Sequence, residues 1–245
     1  MGVMANSPDA PPAPGSAAWW LEYQQHGLQR RVRKDGLTIE RIVDAALAII
    51  EREGAEGLTV RRLAQSLGTG SASLYRHVAS RAEVITLVVD RVLEPLGREQ
   101  PPSGLDWREG AAWLATRFRD RLREHPGVVP LVARSELLGP NAMAGRQRVL
   151  RGFTGAGLDA GAAVLAYRVI VHFTLAVLLD ARHPAGGEDG PRALRDLFRS
   201  QDLGRFPDIV AQADVLARYD ADAEFTFGLT ALLHGIGRLR REPGT

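Results

Sequence analysis

Residues 58–81 read LTVRRLAQSLGTGSASLYRHVASR and contain neither Asp nor Glu, although the 245-residue chain carries a net charge of only +2. The stretch holds Arg61, Arg62, Arg76, His77 and Arg81, and Gly68-Thr69-Gly70 breaks it in the middle. Before the break Val60, Leu63 and Leu67 recur at helical spacing; after it Leu74 and Val78 do the same. A short helix, a tight turn and a second helix bearing basic, hydroxyl and aromatic residues is the helix-turn-helix layout, whose second helix enters the DNA major groove.

Residue chemistry assigns tasks within the segment. Thr59 and Arg61, at the start of the first helix, suit phosphate oxygens, contacts that position without specifying sequence. Ser71 and Ser73 are short enough to let the second helix approach base edges, and Ala72 can meet a thymine methyl. Tyr75 and His77 are expected to reach phosphate, and Arg76 is the long side chain able to pair bidentately with guanine. Arg81 opens the next helix, where the dipole favours anions.

Outward from this segment, Thr38 caps a helix running to about Glu53, with Ile39, Ile42, Val43, Ala46, Ile49 and Ile50 on one face and Gly54 at its end. Ser80-Arg81-Ala82-Glu83 forms a capping box that starts a helix with Val84, Ile85, Val88, Val89 and Val92 inward. Pro95 and the PPSG at 101–104 mark its end and a hinge. Asp106-Trp107-Arg108-Glu109 is a second capping box, and that helix stops at His125-Pro126. Helices are expected near 140–154, 159–181, 191–200, 207–218 and 222–240, with a Gly-rich loop from His183 to Pro191. No β pattern or repeat appears. The chain reads as all-α: a disordered tail and basic arm over 1–37, a three- to four-helix DNA-binding domain over 38–97, and a helical regulatory domain over 105–241. The arm carries Arg31, Arg33 and Lys34; it reads either as solvated or as tracking DNA.

Composition narrows the function classes. Without cysteine there are no disulfides or thiolate sites. No GxSxG element, phosphate-binding glycine loop or clustered metal set occurs, and the histidines at 26, 77, 125, 172, 183 and 234 are scattered. An enzyme is therefore not expected. No signal-peptide pattern opens the chain, and the apolar stretch Val169–Leu179 is short of the ~20 residues that span a bilayer. The expectation is a cytoplasmic protein with no membrane partner.

GLTVRRLAQSLGTGSASLYRHVASR, with the helix before it, resembles the DNA-binding domain of the tetracycline-repressor (TetR) family. DWREGAAWLATRFRDRLREHPG, GAGLDAGAAVLAYRVIVHFTLAVLLD and EFTFGLTALLHGIGRL are similar to the regulatory domain of its tetracycline-repressor subgroup. The likeness covers about residues 38–240, more weakly over parts of 140–218. It implies a homodimeric repressor of a palindromic operator in double-stranded DNA, released by a small-molecule effector. It also implies a four-helix bundle between subunits, built from about 159–181 and 222–240. A ligand-independent DNA-binding protein or an activator is the alternative.

The same resemblance implies an effector pocket. Trp113, Leu114, Arg117 and Phe118 fall along the helix from Asp106, and Phe118 matches an aromatic of the tetracycline site. His172 and Asp180 match a histidine and an acidic residue of that site; the acidic group comes from the partner subunit and holds a magnesium–drug chelate through water. Leu114 stands where an amide grips the drug, and Val132 falls near a metal-ligating histidine. With those groups absent, a large, mostly apolar and aromatic effector is expected, anchored by Arg134, Arg168 or His183. No resident cofactor or metal is expected; magnesium would enter only with a chelating ligand.

Overall fold

Ile42, Ile49, Ile50, Val88 and Val92 have no exposed surface in the computed structural model, which describes residues 11–30, 37–180, 190–218 and 220–239. These side chains come from α2 (Ile39–Gly57) and α5 (Arg81–Val92), the two long helices that clasp the helix-turn-helix pair α3 (Val60–Ser66) and α4 (Ser71–Leu74). The helices begin where local chemistry directs: the Thr38, Thr59 and Ser80 hydroxyls accept from the N–H groups of Arg41, Arg62 and Glu83. Gly54 (φ +73°) kinks α2 but does not end it, because the chain resumes helical turns as far as Gly57. In the Ser80 motif the return bond is displaced by one residue: Glu83 accepts from the N–H of Ala79, at 2.7 Å.

The structure departs from the sequence reading at the N-terminus. Residues 17–30 form a helix, α1 (Ala17–Arg30), not a loose arm. Trp20 is buried in the core of the DNA-reading domain, and Trp19 stacks on Tyr23 with centroids 4.8 Å apart. Burial of the indole holds a segment whose flanking composition suggested disorder. Arg31, Arg33 and Lys34 lie outside the described residues, as does His183.

Beyond α5 a short helix α6 (Glu94–Arg98) leads to α7 (Trp107–Glu124), which opens on the complete Asp106–Glu109 capping box. A 3-10 turn at Pro126–Val128 and α8 (Val129–Ala133) follow, then α9 (Pro140–Gly155) and α10 (Ala160–Asp180). α11 (Gly190–Arg199), α12 (Pro207–Ala211), α13 (Ala213–Leu216) and α14 (Ala221–Gly237) complete an all-α fold. Among the described residues there is no strand.

The expected hinge does not separate two independent cores. Val128, Val129 and Val132, with Leu175 and Leu178 of α10, pack into the same cluster as Ile49, Ile50 and Val88. Gly127 makes this possible, since a Cβ there would sit 2.8 Å from the Ile50 carbonyl oxygen. A second core joins α7, α9, α10 and α14 around Phe153, Ile170, Phe225 and Leu229. Arg119 and Arg123 of α7 reach Asp222 at 3.2 and 2.6 Å, and Arg119 also lies 4.4 Å over the Phe225 ring. With 21 residues, α10 is long and apolar enough to span a bilayer, contrary to the expectation drawn from Val169–Leu179.

Candidate DNA-reading surface and effector cavity

The turn between α3 and α4 is closed by backbone bonds from the N–H of Gly68 to Gln65 and from Thr69 to Ala64. Gly68 sits at φ +65°, a conformation that costs a side-chain-bearing residue free energy. The helical course of α4 runs on through Val78, whose N–H bonds the Leu74 carbonyl at 3.1 Å. Leu63, Leu74 and Val78 face the core, so Ser71, Ala72, Tyr75 and Arg76 are left on the outside. Ser73 accepts from the Arg76 guanidinium at 2.8 Å and thereby steadies the long side chain along the outer face. Thr59 and Arg61 are exposed beside them, while Arg62 pairs with Glu53 at 2.6 Å and holds its carboxyl below the usual range.

Two expected DNA contacts have other surroundings. His77 is only 3 % exposed, and a ring so placed does not reach a phosphate; that expectation is withdrawn. Arg81 donates from Nε to the Leu58 carbonyl and from Nη2 to that of Ala55, both at 2.6 Å. The Ala55 carbonyl also accepts from the N–H of Leu58, the C-cap of α2, so the fork of Arg81 reinforces a helix end.

A cavity of about 70 Å³ lies directly beyond α5. Leu93 and Leu96 of the α5–α6 run form one wall, and Leu114, Ala115 and Phe118 of α7 another. Asn141, Ala142, Gly145, Arg146 and Val149 of α9 and Tyr167, Ile170 and Val171 of α10 close the rest, with Leu137 of the preceding loop. Typical small-molecule sites are ~300–1,000 Å³, so a drug-sized effector must part these walls.

The junction beside the cavity is polar and tightly made. The N-terminus of α9 has no side-chain cap of its own, because its N-cap is Gly139. Asp90, from α5, takes over: its carboxylate accepts from the backbone N–H groups of Asn141 and Ala142 at 3.1 and 3.2 Å and from Asn141 Nδ2 at 3.0 Å. Asp90 is 7 % exposed, and burial pushes its carboxyl above the usual range against those hydrogen bonds. Gly139 lets the chains approach, since any Cβ would collide with the Asp90 carboxylate.

Residues 100–240 match the tetracyclin repressor-like C-terminal domain, and residues 42–86 match the tetR family of bacterial regulatory proteins. This chain belongs to the TetR family. It is similar to the HTH-type transcriptional repressor DrrR1 of Streptomyces coeruleorubidus, at 31 % identity over 83 % of this chain and 78 % of that one. It is also similar to the Escherichia coli class D tetracycline repressor protein, at 29 % identity over 82 % and 89 %. Among solved structures it is similar to the TetR family protein ActR of Streptomyces coelicolor in complex with actinorhodin, at 32 % identity and a TM-score of 0.75 over 82 % and 96 % of the two chains. The chain is thus a DNA-binding transcriptional repressor of the TetR type.

Within this TetR-family chain the expected pocket residues divide. Leu114 and Phe118 line the cavity. Trp113 stands outside the lining, and Arg117 is drawn away by Glu99, which accepts from its Nε and Nη2 at 2.7 and 2.9 Å. Val132 is fully buried in the core shared with the DNA-reading domain, where volume matters and ligand contact does not. Arg168, His172 and Asp180 are exposed on α10, and Arg134 is exposed at the end of α8. His172 lies on an open groove between α10 and α14 with Val169, Phe173, Ala176 and Gly228. No His, Asp or Glu lines the cavity, and Val132 offers no donor, so these residues do not fit a directly ligated magnesium ion.

Sequence reasoning missed the α9 wall and Leu93, Leu96, Leu137 and Tyr167. The face Asn141, Ala142, Gly145, Arg146, Val149 has helical spacing, but its mixture of polar and small residues gives no apolar stripe to detect.

Proposed function

We propose that this chain works as a homodimer that holds a palindromic operator and lets go when a mostly apolar, aromatic effector enters the cavity behind α5. The observation that carries this reading is the cavity wall itself. Leu93 and Leu96 continue directly from α5, the helix whose Val84, Val88 and Val92 support the helix-turn-helix. An effector that parts the α7 and α9 walls displaces the same helix run that carries the DNA-reading domain. That the related ActR is solved in complex with actinorhodin supports a small-molecule effector for this chain.

Dimerisation is supported by the outer face of α10 and α14. Leu165, Val169 and Phe227 are 62 %, 44 % and 79 % exposed, which makes this an apolar face of the kind that marks interaction sites. A helix apolar on every side is normally buried on every side, and a partner subunit would cover the face that α10 leaves open. With His77 buried and Arg81 bound to the end of α2, the DNA contacts of the helix-turn-helix are Thr59, Arg61, Ser71, Ala72, Ser73, Tyr75 and Arg76. In a dimer the two α4 helices must lie ~34–36 Å apart to meet successive major grooves. An effector favouring another spacing lowers operator affinity, and operator lowers effector affinity by the same factor.

The test begins with operator selection from random duplex DNA by the purified protein, followed by fluorescence anisotropy across a salt series. A palindromic site is expected, with log affinity falling by ~0.9 per log salt for each neutralised phosphate. A flat salt dependence would remove the DNA-binding reading. Release of that operator by planar aromatic compounds is the second expected result. The competing ligand-independent regulator predicts no release by any of them.

A further inference from the structure

Arg146 places a cation in the wall of a mostly apolar cavity, with no carboxylate against it among the described residues. The surrounding arginines are satisfied differently. Arg117 is paired by Glu99, and Arg148 donates to the carbonyls of Leu96, Gly97 and Glu99. Arg146 meets only neutral acceptors: Nη2 donates to the Leu137 and Glu136 carbonyls at 3.2 and 3.4 Å, and Nη1 to the Met143 sulfur at 3.4 Å. Its Nε is buried with no hydrogen-bond partner. The guanidinium lies 5.4 Å from the centroid of the Tyr167 ring, and both groups line the cavity with Phe118.

Arg146 is half-buried, and its guanidinium stays charged at physiological pH, so an anion entering the cavity would gain a charge-assisted pair there. Its fork matches a carboxylate or another planar oxyanion. The rest of the wall offers aliphatic surface and two aromatic rings, which suit a flat apolar body. We infer that the effector is an aromatic acid: its ring system fills the space between Phe118, Tyr167 and Leu93, and its carboxylate or equally acidic oxygen pairs with Arg146. This inference rests on the reading of the cavity as the effector site and adds the charge of the ligand to it.

The test uses the full-length protein and matched probes differing only in charge: 2-naphthoic acid against methyl 2-naphthoate, and anthraquinone-2-carboxylic acid against its methyl ester. Isothermal titration is expected to show each acid binding roughly tenfold or more tightly than its ester, the ratio set by one charge-assisted pair. In Arg146→Met that preference should vanish, while Arg146→Lys should keep part of it. Thermal melting and operator affinity of both variants serve as controls for folding. Gly145→Leu fills the cavity, since a Cβ at Gly145 meets nothing within 4 Å, and should abolish binding of acid and ester alike. If acid and ester bind equally, and both are lost in Gly145→Leu, the cavity stands and the charge assignment is overturned. An acid preference that survives in Arg146→Met also overturns it. Should no probe bind, or should binding persist in Gly145→Leu, the effector-site reading falls and this inference with it.

Discussion

Replacing Asp90 with Ala should destabilise the whole protein, because that carboxylate caps a helix belonging to a different part of the chain. Three donors converge on it: the backbone N–H groups of Asn141 and Ala142, and Asn141 Nδ2. Gly139 supplies no substitute cap. Loss of a helix cap costs typically ~1 kcal/mol, and a buried donor left without an acceptor costs about 1–3 kcal/mol more. Part is returned, because Ala also removes a buried charge whose desolvation already raises the Asp90 pKa. The net expectation is a loss of about 2–3 kcal/mol, which in a chain of this size corresponds to roughly 4–12 °C in Tm. Asp90→Asn keeps one acceptor oxygen and sheds the charge, so its loss should be smaller, near ~1 kcal/mol. Urea denaturation followed by helical circular dichroism measures both. The slope of free energy against urea should stay unchanged if α5 and α9 still unfold together. An Asp90→Ala protein within ~0.5 kcal/mol of the parent would refute the capping argument, because surface substitutions have effects of that size.

Five further outcomes are expected. Gly145→Ala should stabilise by about 0.5–1 kcal/mol by thermal melting, since Gly145 is mid-helix, lacks a positive φ, and has open space at its Cβ. Arg76→Ala should weaken operator binding by about 1–3 kcal/mol with Tm nearly unchanged; Arg81→Ala should instead lower stability by about 1–3 kcal/mol, because it removes the donor to the Leu58 carbonyl and one of the two donors to that of Ala55. Burial, reinforced by Arg121, holds His125 below its ordinary 6.5 despite Glu51 at 3.5 Å. A depressed folded pKa gives stability that is complete above the unfolded value and is lost as pH falls through the folded one, so the urea midpoint should drop on acidification from pH 7 to 5, less so in His125→Gln. Phe227→Glu places a charge on the α10–α14 face and should turn the proposed dimer into a monomer by light scattering, leaving the helical circular dichroism intact.

The sequence by itself determined the features that arise from interactions within a few residues. Thr38, Thr59, Ser80 and Asp106 start helices because a side-chain oxygen meets an N–H two or three residues away, and no distant group is needed. The helix-turn-helix was legible for the same reason: Gly68, a short apolar spacing on either side, and an outer face left to Ser71, Ala72, Tyr75 and Arg76. Leu114 and Phe118 were found through resemblance to the family.

Tertiary structure alone decided what depends on segments far apart in the chain. Trp20 and the helix it anchors could not be read from a flank rich in Pro and Ala, because the cavity that receives the indole is made by other helices. His77 and Val132 became interior residues once their neighbours closed over them, and Arg81 turned to the end of α2 across 23 and 26 residues. Asp90 follows two valines in an otherwise apolar run, and only the arrival of α9 across 51 residues gives it donors. Arg146 likewise looks like one basic residue among several on a polar helix; the packing of α9 against α7 and α10 is what sets its charge into an apolar wall. Capping and periodicity are local and survive in the order of the residues, whereas burial, trans-capping and charge isolation are properties of space, fixed only when the helices meet.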